Sequence, residues 1–347
     1  MHQIPEAPLE RWVSPTDHFS LQEPGESVVL VGGLDVPTHV TGIMVAVIGH
    51  EHDNGNKFIV DDYCYPTPCP QKPLVLASQD MYILFICDLG FTLDCKPELE
   101  LARNNVMDFL TGNMDEDLNS VASKIARVVI TGNCMDQGAA DREKELEALE
   151  MDGDEDEWNK KERSYTVETL TMIDDYLSKL GKSLPVDVMP GPYDVTSYLM
   201  PQQPVHPLLL PKCASVKGIK CTTNPYSATF GSIQVLGTSG RLIQSVQEMS
   251  TIDEAVDILD ETLKWRHMIP TSPDTVFSYP FMDHDPFVME ERPHIYFAGN
   301  QKTFNTKLSE GNGQKTRILS IPSFKLTQTC VIVNLRTLAC EVIAFNS

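Results

Sequence analysis

The chain has 347 residues, of which 41% are hydrophobic and 22% charged, a composition typical of a globular protein with room for two domains. Its net charge of −22 disfavours direct binding to the phosphate backbone of nucleic acids, and no apolar run approaches the ~18 residues of a membrane-spanning helix. The nine cysteines include no Cys-x-x-Cys pair, which argues against a disulfide framework and against a structural zinc site.

The first 75 residues predict a small β-domain. Short strands are predicted at Ser27–Val31, Gly42–Ile48 and Lys57–Val60, and Asp53-Asn54-Gly55 is typical of a hairpin turn. The pattern fits an OB-fold barrel and, equally well, another antiparallel meander. A proline-rich stretch from Pro66 to Pro73 then predicts a linker and a domain boundary near residue 75.

Residues 76–347 alternate between strand and helix patterns, which predicts an α/β domain. Continuous apolar runs predict buried strands at 81–87, 126–131, 186–189, 233–236 and 294–298. Apolar spacing predicts helices over 98–110, 166–180 and 252–266, and the chain ends in predicted strands at 316–321, 329–335 and 339–345. The run Asp141–Arg163 holds eleven acidic and five basic residues, so we expect an exposed loop or a disordered insertion there.

Four of the predicted strands end in short polar loops that would meet at one edge of a sheet. The loops read Asp88-Leu89-Gly90, Gly132-Asn133-Cys134-Met135-Asp136, Gly191-Pro192-Tyr193-Asp194 and Gly299-Asn300-Gln301-Lys302. Their order resembles that of the calcineurin-like metallophosphoesterases. Members of that family carry Asp-x-His, Gly-Asp-x-x-Asp, Gly-Asn-His-(Asp/Glu) and Gly-His-x-His at these places, around two metal ions.

Each loop of this chain departs from the family's metal-binding motif. An amide stands at Asn133 where the bridging carboxylate would be, and the histidines of the other loops are absent. Because the loss of even one supporting group lowers metal affinity about 10- to 100-fold, we expect no metal, no cofactor and no catalytic residue here. The resemblance implies that the degenerate former metal-site positions are Asp88, Gly90, Asn133, Asp136, Pro192, Tyr193, Asp194, Asn300 and Lys302.

An active enzyme remains the alternative interpretation of these loops. A reduced site built from Asp88, Asp136, Asp194 and His206 could hold one metal ion and act as a phosphodiesterase or nuclease. The competing expectation is that the three acids cap their own loops by accepting hydrogen bonds from backbone amides.

Longer segments carry a second and more specific resemblance. PVDVMPGPYDVTSYLMPQQPVHP, TNPYSATFGSIQVLGTSG, RHMIPTSPDT, PHIYFAGN and TQTCVIVNLRTLAC are similar to segments of the B-subunits of replicative DNA polymerases, in particular the small, second subunits of DNA polymerase delta. The resemblance implies an inactive calcineurin-like phosphoesterase sandwich, with an acidic insertion at 141–163, preceded by an OB-fold barrel over residues 1–75. Because the family's barrel is longer, we expect its N-terminal part to be missing from this chain.

The same resemblance implies a role and partners. Such a subunit is a non-catalytic nuclear scaffold, acting in DNA replication and repair synthesis. It bridges the C-terminal metal-binding domain of the polymerase delta catalytic subunit to the third subunit, contacts DNA mainly indirectly and has no membrane partner.

A third hypothesis is that the N-terminal domain binds single-stranded DNA. Phe58, Tyr63 and Tyr65 could stack on bases. However, residues 41–80 contain five acids against only Lys57 and Lys72, which is unfavourable for binding a polyanion.

Overall fold

A computed structural model describes residues 11–138, except 15, 24, 54 and 56, and residues 155–345, with side chains from residue 165 onward in the second range. The chain divides into two compact units. One comprises Met1–Lys72 and Arg241–Arg292, and the other comprises Pro73–Gly240 and Pro293–Ser347. Residues 241–292 therefore group with the N-terminal residues. The sequence patterns instead predict that they belong to the domain that follows the boundary near residue 75.

The first unit contains a four-stranded sheet and two helices. Strands β1 (Phe19–Glu23), β2 (Glu26–Val31), β3 (Ala46–Glu51) and β4 (Lys57–Cys64) lie in the order β1-β2-β4-β3. The β2 and β4 pair is parallel, and the other two pairs are antiparallel. The helices are α5 (Arg241–Met249) and α6 (Ala255–Trp265), and a short 3-10 turn spans Val36–Thr38.

One predicted strand of this unit is displaced along the chain. The strand expected at Gly42–Ile48 runs over Ala46–Glu51 instead. Gly42 has a φ of 83°, and a Cβ added there would lie 1.9 Å from the carbonyl oxygen of Pro270. The backbone at Gly42 is thus packed against another loop and cannot pair as a strand. The hairpin between β3 and β4 is as predicted, although Asn54 of its turn lies outside the described residues.

The second unit is built on two mixed sheets. The six-stranded sheet has the order β15-β14-β5-β6-β7-β8, and the five-stranded sheet has the order β12-β13-β11-β10-β9. The first contains β5 (Tyr82–Ile86), β6 (Ile125–Thr131), β7 (Val186–Met189), β8 (Ile219–Cys221), β14 (Thr329–Asn334) and β15 (Cys340–Ala344). The second contains β9 (Tyr226–Phe230), β10 (Ile233–Thr238), β11 (Ile295–Gln301), β12 (Asn305–Gly311) and β13 (Gln314–Pro322).

Strands β5 to β8 are parallel neighbours, as are β10, β11 and β13. The described residues of this unit include the helices α1 (Pro97–Thr111), α2 (Glu116–Ala122), α3 (Glu155–Ser183), α4 (Pro211–Ala214) and α7 (Phe324–Thr327). None of the helices in the described residues is long and apolar enough to cross a membrane.

Alternate side chains of β5 enter different hydrophobic layers. Ile83 and Phe85 lie in the core between the two sheets, together with Val235, Phe297 and Leu319 of the second sheet. Leu84 and Ile86 face the opposite layer, where they pack with helices α1 and α3. Because both faces of the strand are buried, its sequence is a continuous apolar run and does not alternate.

The prediction for the acidic run was wrong in its second half. Residues 141–154 lie outside the described part of the chain, but residues 155–163 form the first turns of α3, which ends at Ser183. Glu, Lys and Arg are strong helix formers, and residues 155–163 contain neither Gly nor Pro. The helix predicted to begin at residue 166 therefore begins at Glu155.

We expect Phe297→Ala to destabilise the second unit by about 3–5 kcal/mol, because it leaves a cavity between the sheets. Phe297 is fully buried, with its ring centroid 5.0 Å from that of Phe85 and 5.9 Å from that of Tyr226. Urea unfolding measures the loss. Leu326→Ala, at a side chain that is 71% exposed, is the control, and equal losses in the two variants would contradict this view of the core.

Candidate functional site

Three of the four strand-end loops turn through the left-handed backbone region. Asp88, Asn133 and Asn300 each have a φ of 56°, a conformation that Asp and Asn adopt more readily than most residues with a side chain. Asp88 follows β5, Asn133 follows β6 and Asn300 lies near the end of β11. The turns bring the loops into contact, and the Nδ2 of Asn133 donates to the Oδ1 of Asn300 over 2.9 Å.

A chain of polar side chains extends this contact into what we call the amide ring, formed by Asn133, Asn300, Ser239, Asn224 and Gln202. Asn300 Nδ2 donates to the backbone oxygen of Ser239 over 2.7 Å. Asn224 Nδ2 donates both to Ser239 Oγ and to Gln202 Oε1, each over 2.7 Å.

The loop that begins at Gly191 closes the ring. Gln202 Nε2 donates to the Gly191 carbonyl over 3.2 Å, and the backbone amide of Tyr193 donates to Asn133 Oδ1 over 3.3 Å. Of the ring members, Asn133, Ser239, Asn224 and Gln202 are at most 3% exposed. The ring therefore satisfies buried polar groups from several loops without any charge.

Glycines let the loops approach one another where the ring lies. A Cβ added to Gly191 would be 2.3 Å from Asn133 Oδ1, and one added to Gly132 would be 2.9 Å from the Cβ of Ser239. Gly132 also has a φ of 104°, which strains any residue with a side chain. Backbone and amide groups thus fill the space between these loops.

Asp194 is bound to the loops through backbone amides. Its Oδ1 accepts from the amide of Met135 over 3.0 Å and its Oδ2 accepts from that of Gly191 over 2.8 Å. Burial raises the pKa of this carboxyl to about 6, although the backbone hydrogen bonds oppose the shift. Both oxygens are therefore already used within the loop, as expected for a capping acid.

Asp88 and Asp136 have different partners. Asp88 Oδ2 accepts from the hydroxyl of Ser323 over 2.5 Å, and burial raises the pKa of the Asp88 carboxyl. Asp136 accepts from the amide of Gly138 over 2.6 Å and forms an ion pair with Lys325. An ammonium at Asp136 takes the place beside the carboxylate that a metal ion would need.

The remaining predicted site positions contribute through their backbone or not at all. The amide of Gly90 donates to the carbonyl of Asn133 over 3.4 Å, and Pro192 and Tyr193 are partly exposed within the third loop. Lys302 is exposed, and the cation that pairs with Asp136 is Lys325. His206 is exposed, and its Nδ1 accepts from the amide of Leu208 over 3.2 Å within its own loop.

A cleft of about 450 Å³ opens beside the Asp136–Lys325 pair. Thr92, Lys96 and Tyr165 line it as well, whereas Asn133, Asp194 and Asn300 are not among its lining residues. Asp94 and Glu98 line the cleft too. A molecule in the cleft would therefore meet these carboxylates and the Asp136–Lys325 pair, but not the centre where the loops converge.

The residues present do not fit the two-metal centre of the metallophosphoesterases. Within the described residues, no group of three or more His, Cys, Asp or Glu side chains is arranged to hold a metal ion. Asn133, the position expected from the sequence to correspond to a bridging carboxylate, carries an amide whose Nδ2 donates to Asn300, and an N–H group cannot serve as a ligand for a cation. We therefore assign no reaction step to metal ions at this site.

Comparison with known proteins places the chain in a family. The family model of DNA polymerase alpha/epsilon B-subunits matches residues 83–306, and that of the DNA polymerase delta subunit OB-fold domain matches residues 1–63. The chain belongs to the B-subunit family of DNA polymerases. It is 32% identical over 343 residues to DNA polymerase delta subunit 2 of Drosophila melanogaster, a match that covers 99% of this chain and 77% of the fly protein.

Two further relatives are both named DNA polymerase delta small subunit. The DNA polymerase delta small subunit of Oryza sativa subsp. japonica is 33% identical over 346 residues, covering 99% of this chain and 77% of the rice protein. That of Saccharomyces cerevisiae is 28% identical over 366 residues, covering 95% of this chain and 71% of the yeast protein. The resemblance noted from the sequence motifs is thereby confirmed, as is the OB-fold assignment of the N-terminal residues.

The aromatic residues of the OB-fold domain are largely engaged with one another. The hydroxyl of Tyr65 and Nε2 of His39 share a hydrogen bond of 2.6 Å. The ring centroid of Tyr65 lies 5.6 Å from that of Tyr63. His39 is 6% exposed and also contacts the ring of Phe19. Two of the three side chains proposed to stack on bases thus pack around a buried histidine, which disfavours the hypothesis of single-strand binding.

Several residues of the site were not predicted from the sequence. Gln202, Asn224, Ser323 and Lys325 lie in or next to loops whose motifs match no metal site. The adjacent residues Pro201 and Pro225 mark irregular segments, but nothing in the sequence pairs Gln202 with Asn224. That pairing depends on the tertiary approach of two loops.

We expect Gly191→Ala to lower the free energy of unfolding by about 1–3 kcal/mol, because its Cβ would overlap Asn133 Oδ1 and force the loops apart. Urea unfolding measures the effect. Gly311→Ala is the matched control, since a Cβ there meets no atom within 4 Å and its φ is not positive. Equal stability of the Gly191 variant and the wild type would contradict the close approach of the two loops.

The raised pKa of Asp194 predicts a pH dependence of stability. The folded carboxyl has a pKa of about 6, above its usual value near 4. Between these values the folded state binds more protons than the unfolded state, so the stability that Asp194 contributes falls as the pH rises from about 4 to about 6.

Unfolding of the wild type and of Asp194→Asn across that pH range measures this contribution as their difference, which should decrease with rising pH. Carbon-detected NMR of the Asp194 carboxyl provides an independent check on the titration. A difference that instead grows over the same range would show a lowered pKa and contradict the assignment.

Proposed function

We propose that this chain is a non-catalytic accessory subunit of DNA polymerase delta that acts as a scaffold. Membership of the family, with relatives named as small subunits of that polymerase over nearly the whole chain, supports the role. The observation that carries the non-catalytic part is the amide ring, in which Asn133 donates to Asn300 where a catalytic centre would need a metal-bridging carboxylate.

The proposed partners are the C-terminal metal-binding domain of the catalytic subunit and the third subunit, which this chain would bridge in replication and repair synthesis. Such work places the protein in the nucleus. Contact with DNA is mainly indirect in this proposal, because a net charge of −22 repels phosphate groups.

The proposed architecture is an OB-fold domain followed by an inactive calcineurin-like phosphoesterase domain. Two facing sheets with parallel central strands, and polar loops meeting at the ends of β6 and β11, support it. In this view the nine degenerate positions are remnants of a metal centre, whose loops are now held by hydrogen bonds.

A metal-dependent phosphodiesterase is the competing function, and the contacts disfavour it. Its four candidate ligands already have protein partners: Ser323 for Asp88, Lys325 for Asp136, backbone amides for Asp194 and a backbone amide for His206.

Calorimetric titration with Mn²⁺ separates the two functions. We expect no binding up to millimolar concentration in the wild type, because two-metal sites depend on a bridging carboxylate. Asn133→Asp is the sharper test, since it restores that carboxylate alone and should also fail to bind. Micromolar binding of two ions by the wild type, with Mn²⁺-dependent phosphodiester hydrolysis that Asp136→Ala abolishes, would overturn the scaffold proposal.

Co-expression with the catalytic and third subunits tests the scaffold directly. We expect all three to co-purify as one complex, and the catalytic and third subunits to separate when this chain is omitted. Failure of the folded chain to co-purify with either subunit would contradict the proposal.

A further inference from the structure

Residues 277–288 of the first unit form an exposed loop that we call the aromatic loop. It contains neither helix nor strand, and its sequence is FSYPFMDHDPFV. Phe281 and Val288 are each 45% exposed, and Met282 is 94% exposed. Loops of about this length without secondary structure are uncommon in compact domains, and ordered ones are often functional. Phe and Met are also enriched in protein interfaces.

The loop is fixed in place at its C-terminal end. Phe287 is buried, and its carbonyl accepts from the amide of Met268 over 2.8 Å. Asp285 bonds to the ring of His267 over 2.9 Å and accepts from the amide of Phe287 over 2.8 Å. The exposed side chains are therefore presented on an anchored segment, which lowers the entropy that binding would cost.

The aromatic side chains of the loop stack beside one another. The ring centroid of Phe281 lies 6.4 Å from that of Tyr279 and 5.5 Å from that of His284. Met282 follows Phe281 in the chain, and the side chains of Phe281, Met282 and His284 are all exposed. We call these exposed side chains, with the ring of Tyr279, the patch. Exposed apolar side chains grouped in this way are typical of sites of association.

Acidic side chains predominate around the patch, although Lys72 pairs with Glu291 and His267 contacts Asp285. Residues 274–291 contain the five acids Asp274, Asp283, Asp285, Glu290 and Glu291 and no Lys or Arg. Nucleic acids and anionic lipid surfaces are repelled by such a segment, and a second copy of the chain would present the same charge to it. A polypeptide with an apolar pocket bordered by Lys and Arg is complementary in both respects.

We infer that the aromatic loop is a docking site for a basic surface of another polypeptide. Phe281 and Met282 insert into an apolar pocket on that partner. The inference rests on the proposed function in one respect, since it assigns the basic surface to another subunit of the same polymerase.

Binding of the full chain to the catalytic subunit alone, and to the third subunit alone, tests the inference. We expect the double variant Phe281→Ser/Met282→Ser to weaken binding to one of them about tenfold or more, because a few buried apolar anchors dominate interface energies. Met44→Ser is the matched control, at a 73% exposed methionine of the same unit, and should bind like the wild type. Thermal unfolding midpoints of both variants should match that of the wild type.

A charge variant tests whether the partner surface is basic. Asp283→Lys should slow association with the same subunit at low salt, and the effect should shrink as the salt concentration rises, since long-range attraction steers association.

The outcomes separate the two proposals. If the double variant binds both subunits as tightly as the wild type, the docking site is overturned and the scaffold role stands. If the wild type binds neither subunit, the scaffold role fails and the docking site fails with it. If the chain alone forms a dimer that the double variant dissociates, the loop's occupant is a second copy, and the basic partner is wrong.

Discussion

The hydrogen bond between Asn133 and Asn300 is the contact on which the arrangement of the strand-end loops depends. Parallel strands of both sheets direct polar loops to a common edge, and those buried groups need partners. A carboxylate can only accept hydrogen bonds, so a cluster of carboxylates requires cations. A side-chain amide donates and accepts, so Asn133 pairs with Asn300, and Asn224 pairs with Gln202. A neutral ring of hydrogen bonds thus holds these loops together.

The neutral ring also constrains the space around it. Gly191 and Gly132 bring their loops close enough that no side-chain carbon fits at either position. Asp194 then lies among backbone amides with its pKa raised to about 6, because burial disfavours its charge more than the amides favour it. The loops are held by many short-range contacts, which suits a rigid scaffold better than a site that must admit substrate.

Sequence patterns predicted the strands that are buried on both faces. β5, β6 and β7 appear as continuous apolar runs because both faces are buried, and their loops were located correctly at Asp88, Asn133 and Gly191. The patterns failed where tertiary contacts decide the structure. Nothing local pairs Gln202 with Asn224, brings Lys325 to Asp136, or groups residues 241–292 with the N-terminal residues.

The distribution of charge explains how such a chain can be both stable and adapted to binding. The amide ring is neutral, while the excess of acids lies outside it. Residues 274–291 around Met282 contain five acids and no Lys or Arg, and Lys72 pairs with one of these acids, Glu291. Self-repulsion of a surface this acidic opposes the compact state. A basic partner that covers the segment relieves that repulsion and binds only the folded chain, so it stabilises the fold by mass action. In the proposed assembly, the acids that disfavour contact with the phosphate backbone of DNA favour contact with basic protein surfaces.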